Sequence, residues 1–221
     1  MTSAVLFDLY ETLVTESGIR PTRASSLAAV LGLEQDAYRR EWKARRPAVV
    51  RGQMSFAEAL SEISHTLSGY VDPVAVQSIC RHRIREKAVV YAEVHQDVAA
   101  LVTTLAGHGV RLAVVSNGFQ EDFVGWPDWS QAHRFPCAVF SCMERLAKPD
   151  PEIYRRAAHR LGVAPAAALY IGDGGDDELA GAERAGLRAG RAAWFVRDSS
   201  RKGTWPELVD CSDALRFIEA G

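Results

Sequence analysis

Apolar positions along the chain fall into two textures. Short unbroken runs occur at Val5-Leu6-Phe7-Asp8, Arg111 to Ser116, Ala138-Val139-Phe140-Ser141, Ala168-Leu169-Tyr170-Ile171 and Ala192 to Val196. Each is too brief for a helix and ends abruptly in polar or turn residues, which predicts strands buried on both faces. Between them apolar residues recur at helical spacing. Val98 to Ala106 predicts a helix closed by Gly107 and Gly109, Pro151 to Leu161 carries Ile153, Tyr154, Ala157 and Leu161 on one side, and Glu178 to Ala185 follows the fourth strand. From about Arg20 to His95 the pattern is helical throughout, with Leu27, Val30 and Leu31, then Phe56, Leu60, Ile63 and Leu67, then a third stretch over Val74 to Arg85. Strands alternating with helices predict an α/β fold with a doubly wound parallel sheet, and the helical stretch predicts a module inserted after the first strand.

Composition adds limits. The 221 residues are 48% hydrophobic and 24% charged, the range of a folded protein with a sizeable core. A net charge of −2 gives no global drive toward nucleic acid or an anionic membrane surface, so neither is an expected partner. Cys80, Cys137, Cys142 and Cys211 lack any paired spacing, which predicts reduced thiols rather than a disulfide framework or a zinc site. The first residues do not form a secretory signal, and no apolar run approaches the ~20 residues of a membrane span. A cytoplasmic protein, monomer or homodimer, is the expectation.

The chemistry sits where the predicted strands end. Asp8 follows the first, Ser116-Asn117-Gly118 the second, and Gly172-Asp173 the fourth, with Lys148 between. In a parallel sheet these residues emerge together at the carboxyl edge, where such sheets place their ligands. Asp8, Asp173 and Asp177 at one edge repel each other unless a cation relieves them, and hard oxygen ligands of this kind suit Mg²⁺ with a substrate phosphate. Lys148 supplies positive charge, while Ser116 and the amides of Asn117 and Gly118 offer donors to phosphate oxygens. Such parts suit attack by an aspartate on phosphorus, followed by hydrolysis of the acyl phosphate.

The segments FDLYETL, VVSNG, KPDPEIY and YIGDGGDDELAGA resemble, in order and separation, the four motifs of the haloacid dehalogenase superfamily. The resemblance implies a Rossmann-like core over 1–15 and 96–221 and a helical cap of the C1 type over 16–95. It implies Asp8 as nucleophile, Ser116 as phosphate ligand, Lys148 as the motif-three lysine and Asp173 as a magnesium ligand. Asp177 matches the second acid of motif four, with Asp176 and Glu178 close enough to leave that place open. The metal also takes a backbone carbonyl two residues past the nucleophile, here Tyr10.

Motif one departs from the phosphatase pattern. Phosphatases of the superfamily carry a second aspartate, a general acid and base, at the position of Tyr10. A tyrosine with an ordinary pKa near ~10 is a poor base at neutral pH, which predicts slow turnover or a good leaving group. Glu11, a water or a cap residue are the possible substitutes. Tyr10 also resembles the tyrosine of the D-x-Y-G-T motif in L-2-haloacid dehalogenases, which need no magnesium, so displacement of halide by Asp8 is the alternative; a catalytically idle binding or regulatory protein is another. The acids of motif four favour a small phosphorylated substrate over a haloacid. In the cap, Arg45, Arg46 and Arg51 flank Pro47, and Arg46 is the expected substrate ligand. Trp42 and Phe56 read as cap core, Trp126 and Trp129 as pocket wall or loop packing, and the six histidines as structural or exposed.

Overall fold

The computed structural model describes residues 2–17, 24–93, 95–195 and 204–219. Six parallel strands form its sheet: β1 (Ala4–Phe7), β2 (Arg111–Ser116), β3 (Cys137–Phe140), β4 (Ala168–Gly172), β5 (Arg188–Ala192) and β6 (Glu207–Leu208). Their order is β3-β2-β1-β4-β5-β6. β1 pairs with β2 on one side and β4 on the other, so the direction of winding reverses at β1. The crevice outside the carboxyl ends at such a reversal is where open α/β sheets bind ligands.

Side chains of successive strand residues point to opposite faces, and both faces are covered here. Val5 and Phe7 of β1, Leu112 and Val114 of β2, and Leu169 and Ile171 of β4 pack with Val98, Leu101 and Leu105 of α5 (Gln96–Gly107). Ile218 of α9 (Cys211–Glu219) joins that layer. Leu6, Ala113, Val115 and Tyr170 face the other way, onto Ile153, Tyr154 and Ala157 of α7 (Pro151–Arg160) and Leu179 and Ala182 of α8 (Glu178–Arg184).

Among the described residues four helices lie between β1 and α5: α1 (Ala24–Val30), α2 (Gln35–Val50), α3 (Phe56–Ser68) and α4 (Pro73–Ala92). They share a separate apolar cluster that includes Tyr38, Val49, Phe56, Leu60, Ile63, Val76 and Ile79. Their ends are set by local chemistry: Ser55 and Glu58 form a reciprocal capping box on α3, Gly69 closes it in the left-handed region, and Asp72 caps α4 ahead of Pro73. A short helix, α6 (Ser141–Glu144), meets the end of α2, where a Cβ on Gly52 would lie 1.8 Å from the Cys142 carbonyl oxygen. Gly52 also has φ +61, so glycine is required there twice over.

Three expectations need correction. The fifth strand is Arg188–Ala192 rather than Ala192 to Val196, of which Val196 lies outside the described residues. Two arginines and a glycine hid it: Arg191 is buried because its guanidinium pairs with Glu207 on β6 at 2.7 Å. The third strand ends at Phe140, and Ser141 opens α6. Among the described side chains of α1, Ala28 is buried while Val30 is exposed. β6 and α9 had no strong pattern ahead of them. Among the described residues no helix is long and apolar enough to cross a membrane.

Candidate active site

Register brings the first two acids together. Phe7 pairs with Ile171, so the residues that follow, Asp8 and Gly172-Asp173, leave the sheet side by side, and the Asp8 amide still donates to the Ile171 carbonyl at 2.9 Å. Lys148 reaches the same point from the loop before α7. Its Nζ lies 2.5 Å from Asp8 Oδ1, 2.5 Å from Glu178 Oε2 and 3.1 Å from the Tyr170 hydroxyl. Asn117 fixes this loop: its Nδ2 donates to the Lys148 carbonyl and to Asp176 Oδ2, and its Oδ1 accepts from the Lys148 amide at 2.8 Å.

Asp8, Lys148, Asp173 and Glu178 are all buried. Burial, with the Glu178 charge beside it, pushes the Asp8 carboxyl up to about 7 against the pull of Lys148. Burial works against the Lys148 ammonium too, but Asp8 and Glu178 outweigh it and hold the amine above its ordinary value. Carboxylate oxygens of Asp8, Asp173 and Glu178 lie within 4.8 Å of one another. Three acids against one lysine leave two negative charges in a buried place, and a hard divalent cation is the group that would cancel them. The donor set fits such an ion.

Glu178, not Asp177, joins this group. Asp176 and Asp177 both adopt left-handed backbone, with φ 51 and 53, which turns the chain so that Glu178 points inward. Its Oε2 accepts from Lys148 and from Tyr170 (2.6 Å), and its Oε1 from the Gly174 amide (2.9 Å). Asp177 is exposed and pairs with Arg184 at 3.5 Å.

The motif-one turn explains Tyr10 and Glu11. Glu11 has φ 55, and its carboxylate accepts from Thr15 Oγ1 and the Glu16 amide, so it braces the loop. The Tyr10 hydroxyl donates to the Asp122 carbonyl at 2.8 Å, beside the Tyr91 hydroxyl, which donates to the same oxygen. Burial and its neighbours hold the Tyr10 phenol well above its ordinary value, so it stays protonated. Ser116 is buried at the end of β2. The Gly118 amide, expected to serve a phosphate, donates instead to Ser141 Oγ at 3.1 Å, because that hydroxyl bridges Gly118 to the Val50 carbonyl.

A cavity of about 340 Å³ adjoins the motif-two loop. Asn117, Gly118 and Phe119 line it from the sheet side; Tyr38, Trp42, Arg46 and Arg83 line it from the helices. Trp42, Phe56 and Phe119 pack ring on ring, so Trp42 of α2 and Phe56 of α3 are both helix core and cavity wall. Arg83 pairs with Asp122 at 2.7 Å and Lys87 with Glu16 at 2.5 Å, whereas Arg46 makes no ion pair among the described residues. Arg45 is held by Glu41 and Glu62, away from this role. Trp126 and Trp129 pack with Phe135 in the core. Sequence reasoning left Glu178 open and missed Tyr170, Asp122 and the Asn117 side chain; only an excess of acids after Asp173 hinted at the first.

A family model described as haloacid dehalogenase-like hydrolase matches residues 2–186. The chain belongs to that family. A glyceraldehyde 3-phosphate phosphatase from Methanopyrus kandleri is 30% identical over 200 residues, covering 85% of this chain and 82% of the relative. Among solved structures, a haloacid dehalogenase-family phosphatase from Thermococcus onnurineus superposes with a TM-score of 0.69 at 19% identity, over 99% of this chain and 98% of that one. An L-2-haloacid dehalogenase from Xanthobacter autotrophicus superposes at 0.61 and 18% identity, with 99% of each chain covered. At these identities the two structures speak to the hydrolase fold.

Proposed function

We propose that the chain is a Mg²⁺-dependent phosphatase of a small phosphorylated metabolite, working through an aspartyl phosphate on Asp8. The buried group of Asp8, Lys148, Asp173 and Glu178 at the sheet edge carries this reading. The phosphatase relative from M. kandleri supports it. Residues 1–15 and 96–221 form the core in this proposal, and 16–95 the cap that closes the cavity and carries specificity.

Asp8 attacks phosphorus, the bond to the leaving oxygen breaks, and water then cleaves the acyl phosphate. Lys148 balances the charge on the phosphoryl oxygens, Glu178 and Tyr170 hold Lys148 in place, and Ser116 with the Asn117 amide positions the group. Arg46, at the cavity rim, adds positive charge. Asp8, Asp173 and the Tyr10 backbone carbonyl, with Glu178 alongside, would hold a Mg²⁺ ion, which would supply charge neutralisation of the phosphoryl group. Tyr10 supplies no proton, so turnover depends on leaving-group quality. The four free cysteines are compatible with a cytoplasmic site of action.

Tyr10 itself favours a second reading, halide displacement by Asp8 without metal. Acids at Asp173 and Glu178 speak against it, because they repel a haloacid carboxylate. The deciding experiment compares wild type and Asp8→Asn on p-nitrophenyl phosphate, acetyl phosphate and 2-chloropropionate, with Mg²⁺ and with chelator. Phosphate release that needs both Asp8 and Mg²⁺ is the expected result. Metal-independent chloride release would establish the dehalogenase, and inactivity on all three would leave a binding protein.

A further inference from the structure

Tyr38, Trp42 and Arg46 recur every fourth residue on α2 and line the same cavity, so they form one stripe of the helix. Tyr38 differs from its two neighbours. Its side chain is fully buried, and its hydroxyl has no hydrogen-bond partner among the described residues. Buried hydroxyls are nearly always bonded, and a lone one beside a cavity points to a ligand atom.

The surroundings say what kind of atom. The Val50 end of α2 meets the motif-two loop, since Ser141 Oγ donates to the Val50 carbonyl and accepts from the Gly118 amide. Arg46 sits one turn from Val50, on the phosphoryl side, and Tyr38 three turns away. Around Tyr38 the charges are spent: Arg83 is paired with Asp122, and Lys87 with Glu16. Burial pushes the Tyr38 phenol up to about 12, so it is a donor at any physiological pH. Among the described residues a carboxylate would find no uncompensated cation at this end; a neutral oxygen would find a hydrogen.

We propose that Tyr38 is a specificity-determining residue, whose hydroxyl donates to a neutral hydroxyl or carbonyl oxygen at the end of the substrate remote from the phosphoryl group. The substrate is then a small phosphorylated polyol, aldehyde or ketone, not a phosphorylated alkyl chain. This rests on the phosphatase reading and narrows it. A site built to bond an oxygen rejects the analogue that lacks it, because its own donor is left unpaired.

The test compares glycerol 1-phosphate with propyl phosphate on wild type and Tyr38→Phe, which keeps the ring and removes the hydroxyl, with p-nitrophenyl phosphate as the measure of phosphatase competence. Wild type is expected to favour glycerol 1-phosphate by about tenfold or more in kcat/KM, expressed mainly in KM. In Tyr38→Phe that preference is expected to shrink to about twofold. A wild type indifferent to the distal hydroxyls, or a variant whose preference equals that of wild type, overturns the role of Tyr38 while leaving the phosphatase intact. No Asp8-dependent release from p-nitrophenyl phosphate overturns the phosphatase reading itself, and this inference with it.

Discussion

Around the Lys148 ammonium, two carboxylates compete for one cation, and Asp8 is the loser. Its folded value of about 7 lies above the ~3.9 of an unfolded aspartate. A raised carboxyl binds its proton more tightly in the folded state, so its contribution is full below the unfolded value and fades as pH climbs through 7. Lys148, raised as well, stays charged throughout that window. In chelator, the stability of wild type relative to Asp8→Asn is therefore expected to fall between about pH 4 and 7 and to level off above, read from urea midpoints at each pH; a flat difference across that range would contradict the shift. Asp8 and Lys148 were legible in the sequence because each stands beside an unmistakable strand or proline. Glu178 was not, since the two successive left-handed residues that turn it inward are aspartates, a residue type that rarely takes that conformation twice in a row. Tyr10 was legible as a missing acid but not as an anchor, because its partner Asp122 is remote in sequence.

At the scale of elements, β4 and α8 are pressed together by the junction that presents Asp173. A Cβ on Gly172 would fall 2.2 Å from Glu178 Oε1 and 2.7 Å from its carboxyl carbon, and Glu178 has no room to retreat from Lys148 and Tyr170. Gly172→Ala is expected to lower stability by about 2 kcal/mol and phosphate release at least tenfold, checked by thermal unfolding and initial rates. Full activity in that variant would mean that the Glu178 contact is dispensable. Strands buried on both faces were the easiest elements to find, since β1, β2 and β4 are nearly continuous apolar runs. β5 escaped for the converse reason: its burial depends on the ion pair from Arg191 to Glu207, a contact between elements that no local pattern encodes.

Across the whole molecule, Asp122 is where the inserted helices meet the sheet. Its carboxylate pairs with Arg83 of α4 and accepts the Phe119 amide, and its carbonyl receives both Tyr10 and Tyr91. Asp122→Ala removes the acid and leaves a largely buried guanidinium alone, at an expected cost of about 2–3 kcal/mol, below that of a fully buried pair because Arg83 keeps some exposure. A urea midpoint within error of wild type would show the pair to be idle. The fold class and the run of helices after the first strand could be read in advance; this joint could not, because a pair so far apart in sequence leaves no periodic trace. An aspartate at position 10 would cut the tether to the Asp122 carbonyl and leave a ring-sized hole beneath Lys87, so an acid placed there would come at a cost in stability.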